Sequence, residues 1–169
     1  MKIERLQLRE LSIKEIDQIK SFFTNVFTNE PWNDDWSDGE QLHSYIMDLI
    51  GNRNSLVLAL FEEEQMVGLT MGNIKHWYTG TEYYIDELCI KREEQGKGLG
   101  TQFLRVIEEY LVSKGVSQIF LQTERTMPAY EFYKKNGFCE LNDHVSFYKE
   151  CNNGSKSVSI TEKGEEVIG

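Results

Sequence analysis

Proline and cysteine are scarce, at two and three residues in a chain of 169. So few prolines leave long stretches in which a helix or strand runs without a forced break. Cys89, Cys139 and Cys151 are odd in number and widely spaced. They form neither a disulfide framework nor a metal-ligand pattern, and they read as reduced thiols. Long apolar runs are missing too. The longest, Leu56 to Phe61, falls far short of the roughly 20 residues that cross a bilayer. The first residues, MKIERLQLRE, carry charges where a signal peptide needs an apolar core. Together these absences predict a cytoplasmic protein. Positive charge is also in the minority, 18 basic against 28 acidic residues for a net charge of −10. That balance argues against nucleic acid or an anionic membrane as the main partner.

What is present suits a single folded domain. Hydrophobic residues make up 40% and aromatic residues 12% of the chain, and a chain of this length buries roughly 68–70% of its unfolded surface without needing a staple. Ile3 to Arg9 reads as a first strand. Ser12, with Glu15 three residues on, forms a capping box, and Ile16, Ile19, Phe22, Phe23, Val26 and Phe27 then recur at helical spacing before Pro31. A second helix starts near Ser37 or Asp38, presents Leu42, Tyr45, Ile46 and Leu49, and closes at Gly51 as a C′ residue. Leu56–Phe61 and Met66–Lys75 read as a hairpin across the acidic turn between them. Glu82–Lys91 is the next strand, Leu99 to Gly115 a helix, Val116–Thr123 a strand, Ala129–Lys135 a short helix and Val145–Lys149 a last strand. The order is one strand, two helices, three strands, then helix, strand, helix, strand. This predicts an α/β (α+β) fold with a mixed central sheet of 6–7 strands and about four helices. Residues 1–150 form the domain. Residues 151–169 form a polar tail in which Val158–Thr161 is a candidate edge strand.

The stretch Gln95-Gly96-Lys97-Gly98-Leu99-Gly100 lies between a strand and an amphipathic helix. Glycines there let the backbone approach an anion without a Cβ, and the helix N-terminus presents N–H groups and the positive end of its dipole. Lys97 adds a point charge, and Arg92 lies within reach. The spacing is not that of a P-loop, and glycines at 96, 98 and 100 do not make a dinucleotide fingerprint. The pattern Q-x-x-G-x-G on Gln95, Gly98 and Gly100 resembles the GNAT superfamily of N-acetyltransferases, flanked by Leu88-Cys89-Ile90 before and Phe103-Leu104 after. A second block, Ala129-Tyr130-Glu131-Phe132-Tyr133-Lys134-Lys135-Asn136-Gly137-Phe138, is similar to the A-x-x-F-Y-x-x-x-G-F segment of the same family, in the expected order. The resemblance covers roughly Ile3 to Glu150, the first 50 residues in architecture only. One departure is Thr126, where many members carry asparagine.

The resemblance implies that Glu82–Lys91 and Val116–Thr123 run parallel and splay apart at a bulge. The pantetheine of acetyl-coenzyme A would lie in the gap, against the backbone of Leu88, Cys89 and Ile90. The diphosphate would rest on Gln95, Gly96, Lys97, Gly98, Leu99, Gly100 and Thr101, with Thr126 a further contact. No metal is implied. An alkylammonium with a pKa near 10.4 cannot attack a carbonyl until it loses a proton, so the reaction needs a base, and the departing thiolate needs an acid. Tyr133 matches the family tyrosine placed near the coenzyme A sulfur and is the candidate acid. Asp86 and Glu87 are the candidate bases. On strict alternation they point to opposite faces, Asp86 sharing its face with Glu82, Tyr84, Leu88 and Ile90; the resemblance implies a base on that face, with an aspartate in a similar I-D-x-L context in some aminoglycoside acetyltransferases, which favours Asp86. Tyr84 occupies the place where relatives often have glutamate.

From Ser21 to Asn52 there is no lysine or arginine, yet there are six acids, Glu30, Asp34, Asp35, Asp38, Glu40 and Asp48. Trp32 and Trp36 sit among them. Carboxylates beside indoles suit a cationic amine through charge attraction and cation–π contact. The expected acceptor is therefore small and cationic, polyamine- or aminoglycoside-like, with Trp32, Asp34, Asp35, Trp36 and Tyr84 lining its site. A protein N-terminus or lysine is the alternative acceptor, and a coenzyme A-binding regulatory module without turnover the alternative class. A monomer and a homodimer are both compatible with the sequence.

Overall fold

A computed structural model describes residues 5–151; Val158–Thr161 lies outside the described residues. The elements follow the expected order: β1 (Leu6–Leu11), α1 (Ile16–Phe27), α2 (Gly39–Ile50), β2 (Ser55–Glu62), β3 (Gln65–Trp77), β4 (Gly80–Ile90), α3 (Leu99–Ser113), β5 (Gln118–Leu121) and α4 (Pro128–Lys135). The Ser12 box is present. The Ser12 amide donates to Glu15 at 2.7 Å and the Ser12 hydroxyl accepts from Lys14 at 3.2 Å, closing a 3-10 turn that runs into α1. The Asp38 carboxylate accepts from the Glu40 and Gln41 amides, both at 3.0 Å, and starts α2. Gly51 ends that helix in the right-handed region, at φ −96°, so it is a C-cap rather than a left-handed C′ residue.

The sheet order is β1-β2-β3-β4-β5. The first four strands pair antiparallel, and β4 and β5 pair parallel. The two faces are covered separately. Ile19, Phe23, Val26 and Phe27 of α1, with Leu42, Ile46 and Ile50 of α2, pack on Val57, Ala59, Leu69, Met71 and Cys89. Phe103, Ile107 and Leu111 of α3 pack on Leu58, Val67, Tyr83, Ile85 and Ile90 on the opposite face. Burying an apolar side chain of this size contributes about 1.5–3 kcal/mol, so the amphipathic stripes of the three longer helices dictate this sandwich.

Two features of β4 position the site. Glu87 pairs with Met71 and Ile85 with Gly72, leaving Asp86 as an extra residue in the β3–β4 ladder. This bulge shifts the alternation by one. Tyr83 and Ile85 face α3 before it, and Leu88 and Ile90 face α3 after it, while Cys89 faces α1 and α2. Pairing with β5 covers only Glu82–Ile85 against Gln118–Leu121. Beyond Ile85 the two parallel strands part, and the β5-side edge of β4 runs past the bulge without a ladder partner among the described residues.

The sheet has five strands among the described residues, fewer than the expected six to seven, because Val145–Lys149 is not a strand. Among the described residues, side chains link that region to β5 and the loop after it. Gln122 Nε2 donates to Ser146 Oγ at 3.2 Å and the Phe120 and His144 rings lie 6.2 Å apart. A cavity of about 720 Å³ lies among β5, α4 and residues 136–146. Alternating residues make a strand only where a neighbour satisfies their N–H and C=O groups. Here Val145 and Phe147 are 72% and 80% exposed instead.

Candidate active site

The turn after β4 is built by glycine conformation. Gly96 and Gly98 have φ of +74° and +80°, the left-handed region that side chains other than glycine rarely adopt. A Cβ at either would meet no atom within 4 Å. Space is therefore open at both, and the backbone angle is what demands glycine. Gly98 occupies the N-cap of α3 with no side-chain cap. The first turn-to-turn bond of the helix is Gln102 N to Gly98 O at 3.2 Å, and the amides ahead of it, in Leu99, Gly100 and Thr101, lack intrahelical acceptors as at any helix start. An open, uncapped first turn beside two left-handed glycines fits a diphosphate.

The other expected members of that site divide. The Gln95 side chain donates to Ile90 O at 2.9 Å, tying the turn back to the end of β4, a scaffold role. Lys97 Nζ lies 3.5 Å from the Glu94 carboxylate at the surface, and Arg92 is exposed. Gly100 leaves room for the Phe132 ring, which a Cβ would meet at 3.0 Å; it lets α4 close on α3. Thr126 is exposed in the connection before α4.

Tyr133 of α4 stands between the Phe132 and Phe138 rings, 5.3 and 5.2 Å away. Burial first, and the neighbouring Glu87 carboxylate and Cys89 thiol next, hold its phenol well above the usual tyrosine range. Burial and Glu87 likewise push up the Cys89 thiol. Tyr133 is therefore near enough to Glu87 and Cys89 of β4 to feel their charge, and its phenol stays protonated at neutral pH.

The bulge changes the carboxylate assignment. Asp86 does not share a face with Leu88 and Ile90, because the extra residue breaks the alternation on which that expectation rested. The Glu87 carboxylate accepts the Tyr45 hydroxyl of α2 at 2.5 Å, placing it on the α1–α2 side, near Cys89 and Tyr133. Asp86 accepts from Asn73 Nδ2 at 3.2 Å. Burial raises its pKa, opposed by Asn73 and Lys75. Both carboxylates act on the Tyr45 phenol. Burial first, then Glu87, Asp86 and Asp34, drive it far above the usual range. Tyr45 was legible only as one of the apolar-face residues of α2; nothing local to it announces a partner 42 residues away.

The tryptophans cover core as well as face the acidic loop. Trp36 stacks on Tyr45 at 5.0 Å and 18° and meets Phe23 edge-on at 5.5 Å, and Trp32 meets Phe27 edge-on at 5.2 Å. Both are partly buried against the α1–α2 core. Among the six acids, Asp38 caps α2 and Asp35 accepts from the Ser37 amide at 3.0 Å; the Ser37 hydroxyl first, and this amide next, lower the Asp35 pKa. Asp34 is the acid of that loop whose charge reaches the cleft phenol. Tyr84 is 4% exposed. Its hydroxyl donates to Gln122 at 3.2 Å and Lys75 Nζ lies 4.5 Å over its ring, so it sits where β4 and β5 are still joined.

Residues 16–138 match the family described as Acetyltransferase (GNAT) family. The uncharacterized N-acetyltransferase YobR of Bacillus subtilis (strain 168) is 28% identical over 86 residues, 50% of this chain and 33% of that protein; the match spans about a third of that relative. An aminoglycoside acetyltransferase from an uncultured soil metagenomic sample, crystallised with sisomicin, superposes with a TM-score of 0.69 at 20% identity over 90% of this chain and 100% of the other. AAC(6')-Iy bound to the bisubstrate analogue CoA-S-monomethyl-acetylneamine gives a TM-score of 0.65 at 12% identity, covering 86% and 99%. At these identities the structural likeness speaks for the fold. Among the described residues no helix is long and apolar enough to cross a membrane. With the family match spanning both motif blocks, the splayed parallel strands and the glycine turn on α3, the chain belongs to the acetyltransferase (GNAT) family.

Proposed function

We propose that the protein transfers the acetyl group of acetyl-coenzyme A to a primary amine of a small, cationic acceptor. The observation that carries this reading is the gathering of Glu87 and Tyr133 beside the unpaired edge of β4, next to the open first turn of α3. Acetyl-coenzyme A supplies the activated thioester carbonyl. Of Leu88, Cys89 and Ile90, the main-chain groups that point away from β3 offer hydrogen bonds along the splayed edge, Ile90 O also holding Gln95, and the amides from Gly96 to Thr101 offer them to a diphosphate. Glu87 takes the proton of the acceptor ammonium, directly or through water, so that the neutral amine can attack. Tyr133, kept protonated by burial and by Glu87, delivers a proton to the departing sulfur. Asp34, with the faces of Trp32 and Trp36, draws the cation toward Glu87. The aminoglycoside-bound relative and the bisubstrate complex support an amine acceptor and a coenzyme A donor by analogy.

Free-thiol release from acetyl-coenzyme A across polyamines, aminoglycosides, amino acids and short peptides tests the reading. Polycationic small amines are expected to react fastest. Release with peptides alone moves the acceptor to protein, and coenzyme A binding without release by any amine leaves a non-catalytic module. Asp34→Asn is expected to raise KM for a polycation about threefold to tenfold at unchanged KM for acetyl-coenzyme A; an unchanged acceptor KM removes the acidic wall.

Gly98→Val tests the donor site. A left-handed residue with a Cβ costs roughly 1–2 kcal/mol, so either the turn moves or the valine is strained in place. Coenzyme A affinity, measured calorimetrically, is expected to fall about tenfold or more. Wild-type affinity in this variant would place the diphosphate elsewhere.

A further inference from the structure

Tyr45 is a residue of the site whose role the transfer reaction leaves unassigned. Its hydroxyl meets Glu87 at 2.5 Å, and its ring is fixed by Trp36, stacked at 5.0 Å, and by Phe23 at 5.9 Å. Asp86 from the strand itself and Asp34 from the α1–α2 connection act electrostatically on Tyr45, and Glu87 and Cys89 of the strand act on Tyr133 of α4. The cation on this side, Lys75, lies over the Tyr84 ring and acts on Asp86. The Tyr45 hydroxyl is thus a neutral donor to the Glu87 carboxylate, on a ring packed against two aromatic neighbours.

We propose that Tyr45 is a positioning residue of the acceptor site, orienting the Glu87 carboxylate and keeping it ionised without neutralising it. An ammonium or guanidinium in the same place would cancel the charge that attracts an amine acceptor. A phenol donates one hydrogen bond, orients the carboxylate and leaves its own negative charge in place. Because burial and three carboxylates keep Tyr45 protonated, it remains a donor throughout the working range of pH. The α2 wall that faces the acceptor is thereby joined to the base on β4 through one bond. The inference rests on Glu87 as the base.

The sign follows from the donor. A hydrogen bond to the ionised carboxylate lowers the pKa of Glu87, so deleting the hydroxyl raises it. In Tyr45→Phe the ring still packs on Trp36 and Phe23. The ¹³C side-chain carboxyl titration of Glu87, assigned by its loss in Glu87→Gln, is expected to move up by about one pH unit. The acidic limb of kcat/KM is expected to move with it, and kcat to fall about tenfold, with KM for acetyl-coenzyme A unchanged. A residue that only packs would move neither midpoint. An identical Glu87 midpoint in the two proteins overturns the proposal. In the wild type alone, the Tyr45 ring-carbon resonance must shift as Glu87 titrates, and its failure to do so overturns the proposal even if the variant does not fold. The titration is read without turnover, so a wild-type protein that transfers no acetyl group fails the proposed function and leaves this measurement separate.

Discussion

Replacing Glu87 with glutamine is expected to lower kcat/KM by about 10²–10⁴-fold, the usual contribution of a positioned general base. The amide keeps the shape and one acceptor for the Tyr45 hydroxyl, so the fold and the affinity for acetyl-coenzyme A should survive. Asp86→Asn is expected to cost less than about tenfold, through the Asn73 contact and the charge of the cleft. Steady-state kinetics of the two variants on one amine decide between the carboxylates. The larger loss in Asp86→Asn would return the base to the position that strict alternation favours. The pH profile offers an independent discrimination. Burial raises the Asp86 pKa, so a base at Asp86 would place the acidic limb above the ordinary aspartate range, and that limb would vanish in Asp86→Asn. Tyr133→Phe should slow the step in which the thiolate leaves, leaving coenzyme A affinity alone.

The second large effect concerns the strand opposite the bulge. A Cβ at Gly72 would stand 2.0 Å from Tyr84 O and 2.9 Å from Tyr83 Cε2. The first is backbone in a buried sheet, and it cannot yield as a surface side chain would. Gly72→Ala is therefore expected to destabilise the protein by about 3–5 kcal/mol, at the upper end for overpacking. That lowers the thermal midpoint by about 10 °C or more in a domain of this size. Gly39 provides the control, since nothing lies within 4 Å of its missing Cβ at the start of α2. Gly39→Ala should leave the midpoint within about 2 °C. Calorimetric scans that gave the two variants similar midpoints would mean that β3 and β4 approach less closely at the bulge.

Most of the architecture was legible because it rests on local spacing. The stripes of α1, α2 and α3 recur every three to four residues, Ser12 and Asp38 announce their helices, and the β2–β3 hairpin follows from its short connection. The glycine turn was legible for the same reason, since two left-handed residues at a helix start leave a mark in composition. The last strand was not. Val145–Lys149 has the alternation, but a strand also needs a partner edge, which no window of residues contains. The tryptophans illustrate the same gap. Their place beside acids suggested a wall for a cation, and folding also turned both rings onto Phe23 and Phe27.

The choice between Asp86 and Glu87 marks where local reading stops. Alternation gives the face of every residue on a regular strand, and a single inserted residue reverses it for all that follow. Whether β4 carries that residue depends on its register with β3, and which carboxylate meets a phenol depends on where α2 lies above the sheet. Spacing within the chain therefore sufficed for the helices and the glycine turn, and the motif resemblance for the family. The resemblance already implied that β4 and β5 part at a bulge; that the extra residue is Asp86 and that Tyr45 meets Glu87 came from contacts between distant segments, because register and packing are properties of pairs of elements.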